Sequence, residues 1–304
     1  VIVAMLQSYN PANANLIVNI NGKLVHRDEA GVSPFDSSVQ NGDAVWEGLR
    51  LYSGRIFRLR QHLDRLRKSA TMLEYQGFPD DATLIEQLRR TLAANNMTDG
   101  AHIRLTVSRG LKYTSGLDPR INTRGCSFFI LPEFKPPVYD KRGITLITST
   151  MRRPLANVLN QHIHSCNQLT SILAKLEANA AGADDALMLD TDGFLAETNA
   201  THVFIVTNGI VETSTTRACP EGITRAAVLE LCQHHNIPHR VRDITPTEIA
   251  AADEVFCTGT MGELAPVTRI DQAVYNSGNP GPMCLRLSEL FRQLTAQADE
   301  GTSV

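Results

Sequence analysis

The chain has no lysine after Lys175, a single tryptophan, no C-x-x-C pair among its six cysteines and no excess of basic charge. Each absence excludes something. A formal net charge of -3 removes the basic footprint that nucleic acid or an anionic membrane selects for, so neither is expected as a partner. Cys126, Cys166, Cys219, Cys232, Cys257 and Cys284 lie far apart, which reads as reduced thiols of a cytoplasmic protein with no bound metal. The opening Val1-Ile2-Val3-Ala4-Met5-Leu6 is apolar, but it is too short for a membrane span or signal core and has no basic flank. The missing initiator Met reads as a trimmed or partial N-terminus.

What is present is an ordinary globular composition, 42% hydrophobic and 20% charged over 304 residues, long enough for two domains of α/β or α+β type. Small molecules are the expected ligands.

Leu16 to Ile20 and Lys23 to His26 are β-rich runs around Asn21-Gly22, the dipeptide that fits a type I′ hairpin turn. Leu59, Leu63, Leu66, Ala70 and Leu73 recur at helical spacing, as do Leu84, Leu88 and Leu92, with Asp80 and Asp81 placed to cap the second helix. Ile103, Leu105 and Val107 alternate with His102, Arg104, Thr106 and Ser108, a strand with one apolar and one polar face, so His102 and Arg104 share a face. Pro136-Pro137 marks a connector, which sets the predicted domains at 1–133 and 143–304 with a linker over 134–142. The second half is predicted to hold a helix with the stripe Leu169, Ile172, Leu173, Leu176 and Ala180. Hairpins between Ala186 and Asn208-Gly209, a helix opening at Gly222-Ile223-Thr224 and a last helix over Met283 to Gln297 follow it.

Three features carry candidate chemistry. Gly222-Ile223-Thr224 opens a helix whose unpaired N–H groups and positive dipole end favour a phosphate, although an ordinary helix start is the blander reading. Thr258-Gly259-Thr260-Met261-Gly262 is a second donor-rich turn, and Glu197 ends an apolar strand.

Taken with Asn41 to Arg50, His62-Leu63-Asp64-Arg65-Leu66, Asp190 to Gly193, Glu197 to Phe204 and Gly222-Ile223-Thr224-Arg225, in that order, these blocks resemble the class IV aminotransferase family. That family includes branched-chain aminotransferases, D-amino-acid aminotransferases and aminodeoxychorismate lyases, and the resemblance runs from about Ile17 to Val267. It implies a two-domain α+β fold, with a β-barrel-like core in the larger domain and pyridoxal 5'-phosphate held between the domains of a homodimer. It also implies roles. Arg65 matches the arginine that grips the cofactor phosphate, with Ile223, Thr224 and Thr260 completing the cup. A guanidinium suits a phosphate bidentately. Glu197 matches the acid that pairs with the pyridine nitrogen. Arg104 matches an arginine that some branched-chain members use for the distal carboxylate of glutamate; with His102 and Met261 it falls in the substrate-binding positions, His102 standing where those members have tyrosine.

The lysine such a family needs is absent. Its place falls within Asn160-Gln161-His162-Ile163-His164-Ser165-Cys166-Asn167-Gln168. Counting back from Asn167 puts His164 there, whereas relatives that read K-I-H before the helix put His162 there; His162 is the preferred of the two. Lys175 lies about 16 Å further along its helix and off the apolar stripe, where it reads as a solvated surface lysine. A lysine forms the Schiff base and also moves the Cα proton; a histidine is able to do only the second. His202 for asparagine, Gln168 for tyrosine and Gln40-Asn41 for an aromatic are further departures. The expected function is therefore that of a branched-chain-aminotransferase-like protein, with cofactor bound non-covalently and amino transfer between an amino acid and a 2-oxo acid impaired or altered. The alternatives are a non-catalytic binding module, or a lyase or isomerase that uses the pocket without a Schiff base.

Overall fold

The computed structural model describes residues 7–304, and the apolar opening 1–6 lies outside the described residues. The chain forms two units, one made of Tyr9–Pro136, Ile163–Asn167 and Thr295–Val304, the other of Pro137–His162 and Gln168–Leu294.

The first unit is built on a seven-stranded antiparallel sheet in the order Gly301–Ser303, Arg55–Phe57, Ala44–Tyr52, Ala101–Ser108, Ser127–Phe134, Ile17–Ile20, Lys23–His26. The predicted hairpin is there: Asn21 and Gly22 have φ of 52° and 84°, the pair of left-handed residues that a type I′ turn requires. Helices Leu59–Met72 and Asp81–Ala94 bury the predicted leucine stripes against Leu49, Leu51, Ile103 and Leu105. The Asp80 carboxylate accepts the Thr83 N–H at 2.7 Å and caps the second helix.

The strand Ala101–Ser108 departs from the expected half-polar pattern. Both faces are covered, and His102 is 6% exposed. Arg104 and Thr106 are only half-buried, because Trp46 and the segment around Cys166 lie over the face that carries Arg104.

The second unit holds a nine-stranded mixed sheet running His239–Val241, Ile210–Thr213, His202–Thr207, Glu254–Gly259, Glu263–Ile270, Ile144–Arg153, Asp185–Asp190, Leu195–Thr198, with Ala273–Val274 branching from Glu263–Ile270. The last strand in this order comes back against His202–Thr207, so the sheet curls into a half-barrel around Ile144, Leu187, Val203, Ile205, Val255 and Val267. Buried Glu254 accepts the N–H groups of Met283 and Cys284 and so caps the helix Pro282–Thr295.

The helix Leu169–Ala181 reverses its predicted orientation. Its inward face is Ser171, Ala174 and Ala178, packed on Ala186 and Met188, whereas Leu169, Ile172 and Leu176 are 67%, 55% and 56% exposed. Small residues let the helix lie close on the sheet, and the leucine stripe is left outside. Lys175 is not a freely solvated lysine either, since its ammonium bonds the Asp184 carbonyl and lies 3.4 Å from the buried Asp185 carboxylate.

Candidate active site

In the first unit the sequence-predicted residues Arg65 and His164 meet around a carboxylate that sequence reasoning gave no role. Glu47, on the strand Ala44–Tyr52, is fully buried. Arg65 reaches it from the helix Leu59–Met72 with Nε at 2.8 Å and Nη2 at 2.6 Å, a two-pronged ion pair. His62, one helical turn earlier, donates its Nδ1–H to Glu47 at 2.6 Å. Burial alone would raise the Glu47 carboxyl, but Arg65, His164 and His62 together hold it well below the usual carboxylate range.

His164 is delivered by a short antiparallel pairing of its segment with the start of the same strand: Trp46 N–H donates to the His164 carbonyl at 3.0 Å and Cys166 N–H to the Ala44 carbonyl at 2.8 Å. Its Nδ1 lies 2.6 Å from the Trp46 carbonyl oxygen and 3.4 Å from Glu47. A carbonyl only accepts, so Nδ1 carries the hydrogen and Nε2 is the basic nitrogen. Burial and the Arg65 charge lower the His164 pKa from its ordinary value, which leaves the ring neutral at pH 7. The ring stacks on Trp46 at 4.4 Å between centroids.

The Arg104 guanidinium lies 4.0 Å from the Trp46 ring centroid and donates to the Cys166 sulfur at 3.6 Å. His102 pairs with Arg50 across the strands, as Arg104 does with Gly48. Its Nε2 is buried without a hydrogen-bond partner, 3.2 Å from where a Cβ on Gly48 would stand. Burial, with the cations of Lys135, Arg50 and Arg104, pushes its pKa down to about 3.

The second unit holds the other predicted residues. Glu197, in the strand Leu195–Thr198, has Arg153 Nη2 at 3.1 Å, and that guanidinium also reaches Ser171 Oγ at 2.9 Å and the Thr198 carbonyl at 3.2 Å. Arg153 Nε is buried with no partner. His162 donates Nε2–H to the Thr216 carbonyl at 2.7 Å. The helix Ile223–His234 begins at Gly222 with no side-chain cap, so its first N–H groups have no such acceptor, and Thr224 is buried beside it. His202 donates to the Pro220 carbonyl at 2.8 Å and packs so closely on Gly222 that a Cβ there would lie 2.5 Å from its ring. Thr260 and Met261 occupy the turn between Glu254–Gly259 and Glu263–Ile270, where the Met261 carbonyl accepts the Val138 N–H.

Glu47, His62, Trp46 and Arg153 were the residues without an assigned role. The available signal was an acid in the middle of the apolar run Val45-Trp46-Glu47-Gly48-Leu49, a position where burial forces a partner. Among the described residues no cluster of three or more His, Cys, Asp or Glu is placed to hold a metal ion, and no helix is long and apolar enough to cross a membrane.

Residues 44–270 match the model of the family described as amino-transferase class IV. The chain is 48% identical over 286 residues to branched-chain-amino-acid aminotransferase-like protein 2 of Arabidopsis thaliana, covering 94% of this chain and 51% of that protein, so it spans about half the length of this relative. It is 33% identical over 272 residues to the D-alanine aminotransferase of Bacillus licheniformis, covering 88% and 92%. The T.th. branched-chain amino acid aminotransferase complexed with N-(5'-phosphopyridoxyl)-L-glutamate superposes with a TM-score of 0.87 at 31% identity, covering 94% and 96%. An α+β chain in two units, carrying these blocks and this sheet order, belongs to the class IV aminotransferase family and is branched-chain-aminotransferase-like.

Proposed function

We propose that this chain binds pyridoxal 5'-phosphate without a covalent link and moves amino groups between an amino acid and a 2-oxo acid slowly, with His164 in the place of the family's lysine. The observation that carries this reading is the seat of His164: a neutral imidazole with a fixed tautomer, next to Arg65, in a stretch with no lysine between Lys141 and Lys175. The donor set fits the cofactor. Uncapped N–H groups at Ile223 and Thr224, the Thr260 hydroxyl and the Arg65 guanidinium suit a phosphate, and Glu197 suits a protonated ring nitrogen.

When bound, the cofactor supplies a conjugated ring that takes up the electron pair left as a Cα–H bond breaks. The chain's own residues do the rest. Arg65, the start of Ile223–His234 and Thr260 would each offer donors to the phosphate; Arg153 holds Glu197; His164 Nε2 would take the Cα proton and deliver it to the cofactor's C4′ carbon. Arg104 would offer a cation for an acidic substrate side chain, with His102 two residues before it on the same strand, in keeping with the phosphopyridoxyl-glutamate adduct named for the T.th. relative; Met261 is proposed as a further substrate-binding residue. His162 is a weaker candidate for the lysine place: like His164 it donates one ring N–H to a carbonyl, that of Thr216, but its ring has no carboxylate partner among the described residues. The outward stripe Leu169, Ile172, Leu173 and Leu176 supports a homodimer, since a contiguous apolar face on a lone chain marks an interface. The six free cysteines support a cytoplasmic setting.

The test is borohydride reduction of the cofactor-loaded protein followed by mass spectrometry. Wild type is expected to carry no phosphopyridoxyl group on any lysine and to lose cofactor on dialysis. His164→Lys is expected to gain a covalent adduct and His162→Lys is not. An adduct on a native lysine, or one formed only in His162→Lys, defeats the assignment. Cofactor that fails to bind at all favours the binding-module reading.

A further inference from the structure

The helix Leu59–Met72 carries a polar stripe beside its leucines: His62, Arg65 and Ser69 recur at three- and four-residue spacing, one face of the helix. His62 is 1% exposed and Ser69 is fully buried, so this stripe faces inward, which is costly unless every group is satisfied. What satisfies it is Glu47 and the His164 segment. The two Glu47 oxygens receive Arg65 Nε, Arg65 Nη2 and His62 Nδ1, and His164 Nδ1 lies 3.4 Å from the first of them. Ser69 Oγ accepts the His164 backbone N–H at 3.1 Å and donates to the Arg65 carbonyl at 2.9 Å. Arg65 and His164 are thus held twice to each other, once through Glu47 and once through Ser69.

We propose that Glu47 is the positioning residue that makes the anion grip of Arg65 and the proton-carrying face of His164 a single device. This rests on the functional reading above, in which Arg65 holds the cofactor phosphate. The chemistry of the carboxylate is what allows it. A carboxylate is an acceptor only, so all the donors converge on it without conflict, and the acceptors around His164 Nδ1 (Glu47 and the Trp46 carbonyl) agree in placing the hydrogen there and the lone pair on Nε2. An amide in its place has one accepting oxygen and two N–H donors. If that oxygen serves Arg65, the amide nitrogen confronts the Nδ1–H of His62 and His164; the Trp46 carbonyl at 2.6 Å still holds the His164 tautomer, but the link from His164 through residue 47 to Arg65 is lost. If it serves the histidines, the fork of Arg65 loses its anchor.

The charged and titratable groups that face His164 are Glu47 from the strand, His62 and Arg65 from the helix, and Arg104 across the Trp46 ring. An anion arriving at Arg65 offsets the positive charge next to the imidazole, so occupancy of the grip should be felt at His164 through Glu47.

The experiment uses the full chain labelled with 15N-histidine. Long-range proton–nitrogen spectra of His164 are recorded for wild type, Glu47→Gln and Glu47→Asp, with and without added pyridoxal 5'-phosphate, alongside cofactor titrations. Wild-type His164 is expected as the Nδ1–H tautomer, with its signals and those of His62 moving together on cofactor addition. Glu47→Gln is expected to keep the Nδ1–H tautomer that the Trp46 carbonyl fixes, but to lose the joint movement of the His164 and His62 signals and to bind cofactor roughly tenfold more weakly, with Glu47→Asp intermediate in both. A folded Glu47→Gln protein whose His164 and His62 signals still move together with cofactor as in wild type overturns the proposal, as does Arg65-dependent cofactor binding in wild type that leaves His164 signals unmoved. Should Glu47→Gln not fold, the wild-type titration decides. Failure of wild type to bind the cofactor defeats the functional reading instead, and titration of the same wild-type and Glu47→Gln spectra with inorganic phosphate still decides the part played by Glu47.

Discussion

A buried imidazole with no partner has a direct consequence for stability. His102 was legible as a member of a strand face shared with Arg104, but the alternation of the strand suggested that this face was polar and open; the covering by Trp46 and the Cys166 segment comes from residues distant in sequence. Glu47 was hidden for a similar reason, since its partners are supplied by His62, Arg65 and His164, and only the fold brings these to it. The pH dependence follows from the direction of the shifts. His102 titrates at about 3 in the fold, against about 6.5 in an unfolded chain, so between these values the unfolded state binds more protons and stability falls as pH drops from about 6.5 towards 3. His62 and His164, also lowered by burial, act in the same direction. Glu47, held low, adds stability that is present above its unfolded value of about 4.3 and is lost as pH falls through its folded value. Replacing His102 with Leu is therefore expected to flatten the unfolding free energy between pH 5 and 6.5, by up to about 1.4 kcal/mol per pH unit, with little change at pH 8. Urea unfolding at pH 5, 6, 7 and 8 checks this, and parallel curves for both proteins would refute it.

Among the elements, local chemistry was a good guide where one face decides the pairing. The Asn21-Gly22 hairpin, the Asp80 cap and the leucine stripes of the first unit all formed as their sequences predict, because turn residues, caps and helical periodicity act over a few residues. The helix Leu169–Ala181 shows where the same logic misleads. Periodicity identified an apolar stripe, but it carries no information on whether that stripe meets the chain's own core or another molecule. In this helix the alanine face won the sheet, because Ala174 and Ala178 allow a close approach over Ala186 and Met188. The two faces should therefore respond oppositely to mutation. Ala174→Leu overfills a closely packed contact and is expected to cost about 1–3 kcal/mol of stability in denaturant titrations. If the proposed dimer uses this face, wild type is expected to sediment as a dimer, and Ile172→Glu with Leu176→Glu should leave the stability of each chain nearly unchanged and yield monomer. A double variant that remains dimeric would place the interface elsewhere.

At the scale of the whole molecule, the proposed non-covalent binding would change how cofactor and fold are linked. A Schiff base fixes the cofactor stoichiometrically, whereas a non-covalent ligand stabilises only by mass action, in proportion to the logarithm of its free concentration. With no lysine between Lys141 and Lys175, the proposed non-covalent grip would rest on hydrogen bonds and charge alone and would be lost on dilution of the ligand. Once free pyridoxal 5'-phosphate exceeds its dissociation constant, each tenfold increase is expected to add about 1.4 kcal/mol to stability, which for a chain of this size raises the melting temperature by a few degrees per decade. Dialysis should return the wild-type protein to its starting melting temperature. His164→Lys should behave differently: stabilised by one equivalent of cofactor, insensitive to further excess, and still stabilised after dialysis. Thermal melts across four decades of cofactor, before and after dialysis, separate the two regimes. A wild-type melting temperature that plateaus at one equivalent and survives dialysis would mean that a covalent or kinetically trapped cofactor exists in this chain, and the role of His164 as the proton carrier in the lysine's place would fall with it.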